Sequence, residues 1–484
     1  MAALYLSIAP SRLTNANFGG DGGDLLAAIL SRGIPHPTGY PTYILLGTFF
    51  QYIPFSTPVF RGALESLIPA ALAAGLLTGW VGFVTGSKTG PHLGAAVMTG
   101  TAWGIAPLLF SQAVIVEVHG LQSLIVVLVL WWIAANLKAG SGSNKKWILG
   151  LSFLVGLGCG NHLTIALFAP VAVIALIYTA RHSGSWKMAL AQLFLVLAGM
   201  LVYVTLPLRA LAYPPINWGN PQTWSGFLWE VTGNPYRGLL FNAQMPVIWE
   251  RIRSISNLIL DQYGAIGLIA GAIGVIHYSF PFKWMRLILV WIFVTTFVFA
   301  IGYNTQDSVG YLLPAIMVFA IWLGLAIPSL WQLNWKRVPI GLLVIGILIL
   351  SIYMRIPGTR NRVDTRSQDQ PARYAEKLLR EAPPNALVNT TTDGDTFPLW
   401  YYHFGIHERP DLRIVVLPLT QFVWYQETLV HTYPDLEYPA IYTKDLPNTD
   451  WGQQIQRLNP ERVVCNTRLS AETETGVSYQ CSSP

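Results

Sequence analysis

Charged residues are scarce in this sequence. Only 11% of its 484 residues are Asp, Glu, Lys or Arg, whereas 52% are hydrophobic, and the mean hydropathy is +0.44. Soluble domains carry about 25% charged residues. The shortage of charge therefore excludes an ordinary soluble domain and predicts a polytopic α-helical membrane protein.

Basic runs interleaved with aromatic residues are also missing. The formal net charge of +6 would otherwise suggest an anionic partner such as nucleic acid. The Lys and Arg residues instead occupy short gaps between apolar segments, where they report membrane topology. The sequence further lacks a nucleotide-binding glycine loop, a thiolate zinc pattern and a nucleophile elbow. We predict no nucleic-acid partner and no metal ligands, and we leave a divalent metal open as a cofactor.

The beginning of the chain has no signal-peptide pattern. Residues 1–13 contain no basic region and no long apolar core before a small-residue cleavage site. Because they are also too short to cross a bilayer, we interpret them as the end of a first helix whose start is missing from this chain.

Eleven apolar segments are predicted to cross the membrane. A spanning helix needs about 20 apolar residues, and fewer where the bilayer is thin. The first segment is truncated, and the fifth and sixth form a short pair. The segments are 1–13, 61–85, 92–110, 114–137, 147–160, 162–179, 187–207, 257–280, 286–302, 310–331 and 338–354.

The positions of the basic residues predict the topology. If the amino terminus is cytoplasmic, every inside loop carries Lys or Arg, as the positive-inside rule expects. These residues are Lys88, Lys138, Lys145, Lys146, Arg181, Lys187, Lys283, Lys336 and Arg337. The same parity places four segments on the outer face of the cell membrane, namely 14–60, 208–256, 303–309 and 355–484.

The composition changes near Arg355, where charges become frequent. We predict a transmembrane domain over 1–354 and a small extracytoplasmic α/β domain over 355–484. Its strands are predicted at 386–390 and 413–419, and its helices at 371–382, 396–405 and 421–432. Of the three cysteines, Cys159 lies in the membrane region, whereas Cys465 and Cys481 both lie in the tail. Pairing of the last two in an oxidising compartment stays open at this point.

Two carboxylates stand in the first outside loop, within the stretch "FGGDGGD". Asp24 is expected to N-cap the helix "LLAAILSRG", which ends at Gly33. A cap does not account for Asp21, because a carboxylate beside a bilayer is costly unless it is hydrated, paired or functional. Asp21 is therefore the stronger candidate for a catalytic role.

Other polar residues near the predicted outer boundary each allow a functional and a structural interpretation. His36 is either a base or substrate contact, or a packing residue between prolines. Glu117 and His119 either bind substrate or are hydrated at a helix turn, and Asn161 and His162 lie in a turn that an Asn can cap. Arg209 either clamps a phosphate or anchors a helix at the headgroups. The remaining candidates are Tyr40, Trp218, Asp307 and Tyr311.

One further aspartate pair, Asp393 and Asp395 in "TTTDGDTFPLW", follows a predicted strand. We favour a structural interpretation here, in which Asp395 N-caps the next helix.

Several of these blocks occur together, and in the same order, in one family. They are the carboxylates of the first loop, "IPHPTGYP", "VEVHGLQSL", "GLGCGNHLT", "LPLRALAYPPINWGNPQTWSGFLWEVTGNPYRG", "YNTQDSVGYLLP" and "DGDTFPLWYYHFGIHERPDLRIVVL". Over nearly its whole length, the chain resembles the GT-C membrane glycosyltransferases. The resemblance is to the group long classed as a domain of unknown function and related to protein O-mannosyltransferases.

This resemblance implies an enzyme that transfers a sugar, with mannose as the candidate, from a polyprenyl-phosphate donor to an acceptor hydroxyl. The acceptor would be a protein, a lipid or a glycan on the outer face of the membrane. The family's Asp-Ser-Gly-Glu motif maps onto Asp21, Gly22, Gly23 and Asp24, so that Asp21 would be the base and Asp24 would stand for the glutamate. The family tends to carry a tyrosine at the position of His119.

The implied chemistry also assigns Arg209, which would stabilise the departing phosphate. The substrate-binding candidates are His36, Tyr40, Glu117, His119, Asn161, His162, Arg209, Trp218, Asp307 and Tyr311. The alternatives are a transporter of lipid-linked sugars and a non-catalytic protein. No inverted repeat is visible and few charges lie at mid-span, which argues against a transporter.

Overall fold

The architecture is that of a helical membrane protein with a small sheet near the carboxyl terminus. The computed structural model describes residues 1–86, 90–138, 145–182, 186–278, 280, 283–305, 307–333, 340–470 and 473–482. The helices of the membrane region and its loops are α1 Ala2–Leu6, α2 Gly22–Leu30, α3 Pro41–Phe50, α4 Pro58–Thr85, α5 Pro91–Gly104, α6 Pro107–Ala113, α7 His119–Lys138, α8 Lys145–Cys159, α9 Ala169–His182, α10 Trp186–Met200, α11 Thr205–Ala210, α12 Trp224–Val231, α13 Met245–His277, α14 Lys283–Gly302, α15 Leu313–Trp331 and α16 Ile340–Met354.

Eight helices in the described residues are long and apolar enough to cross a membrane, or nine if one bent pair counts as a span. These nine correspond to nine of the eleven predicted segments. The other two predicted spans differ. Within 1–13 only the five residues of α1 are helical, and 147–160 forms the 15-residue α8, which is shorter than the others.

The bent pair consists of α5 and α6, whose axes differ by 59°. Pro107 begins α6, and it holds Ala106 in an extended conformation (ψ 127°), because the proline ring disfavours helical geometry in the preceding residue. After the bend the chain continues through residues 114–118 into α7. The bend thus brings Glu117 and His119 to the end of the helical bundle.

The loop over 14–60 has a defined structure of its own. A 3₁₀ helix at Ala16–Asp21 leads into α2, and α3 begins at Pro41 as the proline spacing predicts. The prediction that Asp24 caps α2 is wrong. The helix begins three residues earlier than predicted, at Gly22 instead of Leu25, so that Asp24 lies in the first turn and its carboxylate binds His36.

The carboxyl-terminal α/β domain contains a four-stranded sheet. Its strands, β1 Leu387–Thr390, β2 Arg413–Val416, β3 Val464–Leu469 and β4 Val477–Ser482, lie in the order β2-β1-β3-β4. The contacts of β1 are parallel and that between β3 and β4 is antiparallel. The domain's helices are α17 Ile356–Val363, α18 Gln370–Glu381, α19 Asp393–Trp400, α20 Val423–Thr432 and α21 Trp451–Leu458.

Two details of this domain bear on the predicted cysteine pairing and on the predicted helix cap. A disulfide joins Cys465 on β3 to Cys481 on β4, two strands that the sequence did not predict. The prediction that Asp395 caps the helix after β1 is wrong, because Thr392 is the N-cap residue. Asp395 is the third residue of that helix and completes a capping box with Thr392.

The first loop and the α/β domain share one hydrophobic core, which includes Leu25, Tyr43, Val388, Phe397 and Trp451. A second large core lies among the membrane helices. The loop that carries the candidate carboxylates is therefore packed against the carboxyl-terminal domain.

Some predicted residues lie outside the described part of the chain. These are Lys88, Lys336 and Arg337, together with the side chains of Lys145, Lys283 and Asp307.

Candidate active site

A cavity of about 670 Å³ opens at one end of the helical bundle. It is lined by all four of the segments that the topology placed on one side of the membrane, and by the ends of several spans. The lining includes Asp21, His36, Tyr40, Glu117, His119, His162, Trp218, Tyr236, Arg237, Thr305, Tyr311, Asp393 and Phe397. Apolar residues from span ends and nearby turns, Leu163, Leu167, Leu239, Leu240 and Phe299, complete it.

His36 and Asp24 form a buried pair beneath the cavity. Asp24 is fully buried, and its Oδ2 accepts hydrogen bonds from His36 Nδ1 at 2.7 Å and from the His36 backbone N–H at 2.9 Å. The other carboxylate oxygen, Oδ1, accepts from Trp218 Nε1 at 3.3 Å. With partners on both oxygens, the Asp24 carboxylate is fixed and does not face the cavity.

The second ring nitrogen of His36 faces Asp21. His36 Nε2 lies 3.6 Å from Asp21 Oδ2 and 3.1 Å from the Tyr40 hydroxyl. The Asp21 side chain is 38% exposed, in contrast to Asp24. His36 therefore lies between a carboxylate that is buried and a carboxylate that lines the cavity.

The electrostatic surroundings keep His36 charged. Burial alone would lower its pKa, but the neighbouring carboxylates, Asp21 first and then Asp24, raise it to about 10. An opposite charge at such short distance favours the charged form of a titratable group. At neutral pH the site therefore contains an imidazolium.

Glu230 on α12 is a further buried carboxyl close to this pair. It is fully buried, and neither oxygen has a hydrogen-bond partner among the described residues. Burial raises its pKa well above the usual value, which favours the uncharged form of Glu230.

A cluster of rings forms another part of the cavity wall. His119 and His162 lie with their ring centroids 5.7 Å apart, and Tyr311 lies 5.9 Å from the first and 5.4 Å from the second. His162 Nδ1 accepts from the Thr164 backbone N–H at 3.2 Å. Glu117 is held nearby, because its Oε1 accepts from the Val118 backbone N–H at 2.8 Å.

Besides Asp24, three predicted candidates are not part of the cavity wall as the structure describes it. Asn161 is fully buried and donates to Gln122 Oε1 at 3.0 Å, which is a packing role. Arg209 donates to the Gly33 carbonyl at 3.1 Å and lies outside the lining. Asp307 begins the 3₁₀ helix Asp307–Leu312, and its side chain is outside the described atoms.

The structure adds three residues that the sequence analysis did not select, namely Tyr236, Arg237 and Asp393. Arg237 is the one Arg or Lys in the described lining, and its Nη2 donates to Thr232 Oγ1 at 2.7 Å. Asp393 faces the cavity from the α/β domain, and desolvation raises the pKa of its carboxyl. The "NPYRG" and "DGD" stretches were visible signals, but their charges also suit exposed turns.

Metal binding has no evident basis in the described residues. They contain no group of three or more His, Cys, Asp or Glu side chains arranged to hold an ion.

Two family models match the chain. The model described as the Protein O-mannosyl-transferase TMEM260 N-terminal domain matches residues 21–186, and that described as TMEM260-associated domain 2 matches residues 371–445. The first match begins at Asp21, and the second contains Asp393. Both matches therefore include residues of the cavity.

Two curated relatives carry related names. Protein O-mannosyl-transferase TMEM260 of Mus musculus is 23% identical over 476 residues, which cover 91% of this chain and 64% of the mouse protein. The protein of that name from Dictyostelium discoideum is 22% identical over 483 residues, covering 89% of this chain and 58% of the relative. The chain thus spans less than two thirds of the length of either relative.

Solved structures show the same architecture. ArnT from Cupriavidus metallidurans bound to undecaprenyl phosphate superposes with a TM-score of 0.59 at 13% identity, covering 96% of this chain and 91% of that chain. The apo state of ArnT gives a TM-score of 0.54, also at 13% identity, with coverage of 96% and 90%. The chain is therefore a multi-pass membrane protein with the GT-C fold.

Within that class, the sequence is similar to the proteins named Protein O-mannosyl-transferase TMEM260.

Proposed function

We propose that this protein is a GT-C glycosyltransferase that moves a sugar, with mannose as the first candidate, from a polyprenyl-phosphate donor to an acceptor hydroxyl. The observation that carries the proposal is the half-exposed Asp21 carboxylate in a cavity of about 670 Å³ that has both polar and apolar walls. The GT-C fold and the names of the relatives support the same reaction class.

The reaction requires one base and one stabilised leaving group. The acceptor oxygen attacks the anomeric carbon, a new glycosidic C–O bond forms, and the bond between that carbon and the phosphate oxygen breaks. Asp21 takes the proton of the acceptor hydroxyl. The products are the glycoside and the polyprenyl phosphate, which keeps the electron pair of the broken bond.

The leaving phosphate needs a cation, and we assign this role to Arg237. Arg209, the arginine that the sequence favours for this role, instead donates to the Gly33 carbonyl and lies outside the cavity wall. Arg237 lines the cavity, and its Nη2 donates to Thr232 Oγ1, which leaves N–H groups on Nε and Nη1 for phosphate oxygens. A guanidinium can bind phosphate through two parallel hydrogen bonds.

The donor's lipid tail fits the apolar side of the cavity. Leu163 and Leu167 precede α9, and Phe299 belongs to α14, so that these residues lie near the predicted bilayer boundary. We place this end of the bundle, and the domain over 355–484, outside the cytoplasm. The Cys465–Cys481 disulfide supports that orientation, because disulfides persist in oxidising compartments.

The experiment that tests the proposal uses purified protein and a panel of polyprenyl-phosphate sugars. We expect the wild-type protein to consume one donor and to add its sugar mass to an acceptor. Asp21→Asn should lower transfer by at least about 100-fold, because general-base catalysis contributes about 10²–10⁴. Asp450→Asn, a change at an exposed carboxylate of the α/β domain, serves as the control and should leave transfer unchanged.

Mass spectrometry of donor and acceptor measures the result. Wild-type activity in the Asp21→Asn variant would remove Asp21 from the mechanism. Donor movement across liposomes without transfer would favour the transporter alternative, and an absence of both would favour a non-catalytic role.

A second prediction concerns the two arginines. Arg237→Ala should lower transfer by about 100-fold to 1000-fold, because loss of one group that stabilises developing negative charge costs about 2.7–4 kcal/mol in comparable sites. Arg209→Ala should have the smaller effect and should act mainly on stability. The assay is the same, with donor affinity measured alongside. A larger loss in Arg209→Ala would return the phosphate role to Arg209.

A further inference from the structure

We propose that His36 is a positioning residue: held as an imidazolium by Asp24, it keeps the Asp21 carboxylate ionised and directed into the cavity. This inference rests on the proposed function, in which Asp21 is the base. It gives Asp24 a role that neither a helix cap nor a second catalytic carboxylate would have.

The contacts around His36 accommodate protons on both ring nitrogens. Nδ1 faces the Asp24 carboxylate at 2.7 Å, so that Nδ1 must donate. Nε2 faces the Tyr40 hydroxyl at 3.1 Å. That hydroxyl can donate to the Pro37 carbonyl at 3.3 Å and accept from Nε2, and Asp21 Oδ2 lies 3.6 Å from Nε2 as a second acceptor. Two donating ring nitrogens define an imidazolium.

The titratable groups around His36 support the same charge state. Several groups on five different segments act on it or are acted on by it, and most of them are acidic. They are Asp21, Asp24, Tyr40, Glu117, His162, Glu230 and Asp393. His162 is the one other base in this set, whereas Asp21 and Asp24 lie closest, at 3.6 and 2.7 Å from ring nitrogens. The nearest carboxylates, Asp21 and Asp24, favour a positive ring, and Glu117 adds to their effect.

The imidazolium has a direct consequence for Asp21. A carboxylate must be ionised to accept a proton from the acceptor hydroxyl. A cation 3.6 Å away favours the ionised form and attracts the carboxylate toward one orientation. Asp24 acts on Asp21 indirectly, because its negative charge keeps the proton on His36, and the charged His36 in turn acts on Asp21.

The test is the pH dependence of sugar transfer by the full-length protein. In His36→Gln, the loss of the cation should move the acid limb of the pH–rate profile up by about one unit. Transfer at a pH on that limb should therefore fall about tenfold. A purely structural effect would lower the rate by the same factor at every pH and would leave the limb in place.

Asp24→Asn should change the alkaline limb of the pH–rate profile and not the acid limb. Without the buried carboxylate, the pKa of His36 falls toward its ordinary value of about 6.5. His36 is then charged below that pH, where the acid limb stays, and neutral above it, where Asp21 loses its orienting partner. Transfer should decline several-fold as the pH rises through the new pKa of His36.

Two control variants separate charge from packing. Tyr40→Phe removes a hydroxyl from Nε2 but no charge, so that both limbs should keep their positions whatever happens to the rate. His407→Gln changes an exposed histidine of the α/β domain and should leave the whole profile unchanged.

A second readout does not depend on activity. In protein labelled with ¹³C-histidine, the His36 signal, assigned by its absence in His36→Gln, should stay protonated through pH 8 in the wild type and should titrate at lower pH in Asp24→Asn. A neutral His36 at pH 7 in the wild type, or limbs that coincide in all variants, would overturn the inference. Absence of transfer in the wild type would instead contradict the proposed function and would leave the NMR test in force.

Discussion

Two short stretches of this chain have similar sequences, but their buried aspartates bind different partners. "DGGD" at 21–24 and "DGD" at 393–395 each pair an aspartate that faces the cavity with one that is fully buried. In the first stretch the buried aspartate, Asp24, binds His36, which lies 12 residues away. In the second, Asp395 binds Thr391, Thr392 and Thr467.

The chemical nature of the partner accounts for the difference. Hydroxyl and amide groups cannot gain or lose charge near neutral pH, so that Asp395 stabilises a helix start and a sheet edge and does nothing more. His36 can carry a proton, and Asp24 therefore sets a charge beside the cavity. Burial alone does not distinguish a structural carboxylate from one that tunes a site.

The sharpest test of this contrast is the loss of the Asp395 carboxylate. Its oxygens accept six hydrogen bonds from five donors, including those from Thr392 N at 2.7 Å and Thr467 Oγ1 at 2.6 Å. Asp395→Ala leaves these buried donors without a partner, which should destabilise the α/β domain by about 2–4 kcal/mol. Protection of its amides against hydrogen exchange should fall by about 30-fold to 1000-fold.

Asp393→Ala is the matched control for that experiment. Its carboxylate takes no part in the hydrogen bonds of Asp395, so that amide protection in β1 and β3 should stay within about threefold of the wild type. Equal losses in the two variants would mean that the cavity-facing aspartate also stabilises the domain, and the contrast between the two positions would disappear.

Much of the fold followed from sequence patterns that have a simple physical origin. Nine spans have the length and apolarity that a bilayer requires. The strands at 386–390 and 413–419 were recognised by their apolar, β-branched residues. The strands Val464–Leu469 and Val477–Ser482 were missed, because exposed polar side chains interrupt their pattern.

The site was harder to predict than the fold. Asp24 was expected to cap α2, since an aspartate ahead of an apolar helical run is typical of a cap. The ion pair with His36 depends on how the segment between Gly33 and Pro41 folds back, which no local pattern encodes. The same reason explains why the sequence favours Arg209, at the end of a span, for the phosphate role. The place of Arg237 in the cavity depends on the turn at Asn234–Leu239.

The glycines of the two stretches offer a finer test. A methyl group on Gly23 would lie 2.5 Å from the carbonyl carbon of Phe397 and 3.0 Å from Pro398 N, both backbone atoms of α19. On Gly394 it would meet only side-chain atoms, at 3.4 Å or more. Gly23→Ala should therefore separate α2 from α19.

The expected cost of that separation is about 1–3 kcal/mol, as is typical of overpacking, together with reduced transfer because Asp21 adjoins α2. Gly394→Ala should be close to neutral in both respects. Thermal unfolding and the transfer assay measure the two quantities in the same preparations. Wild-type behaviour of Gly23→Ala would mean that the first loop keeps Asp21 in place without the α/β domain. Loss of transfer with unchanged stability would instead mean that the close contact between α2 and α19 is needed for activity and not for the stability of the fold.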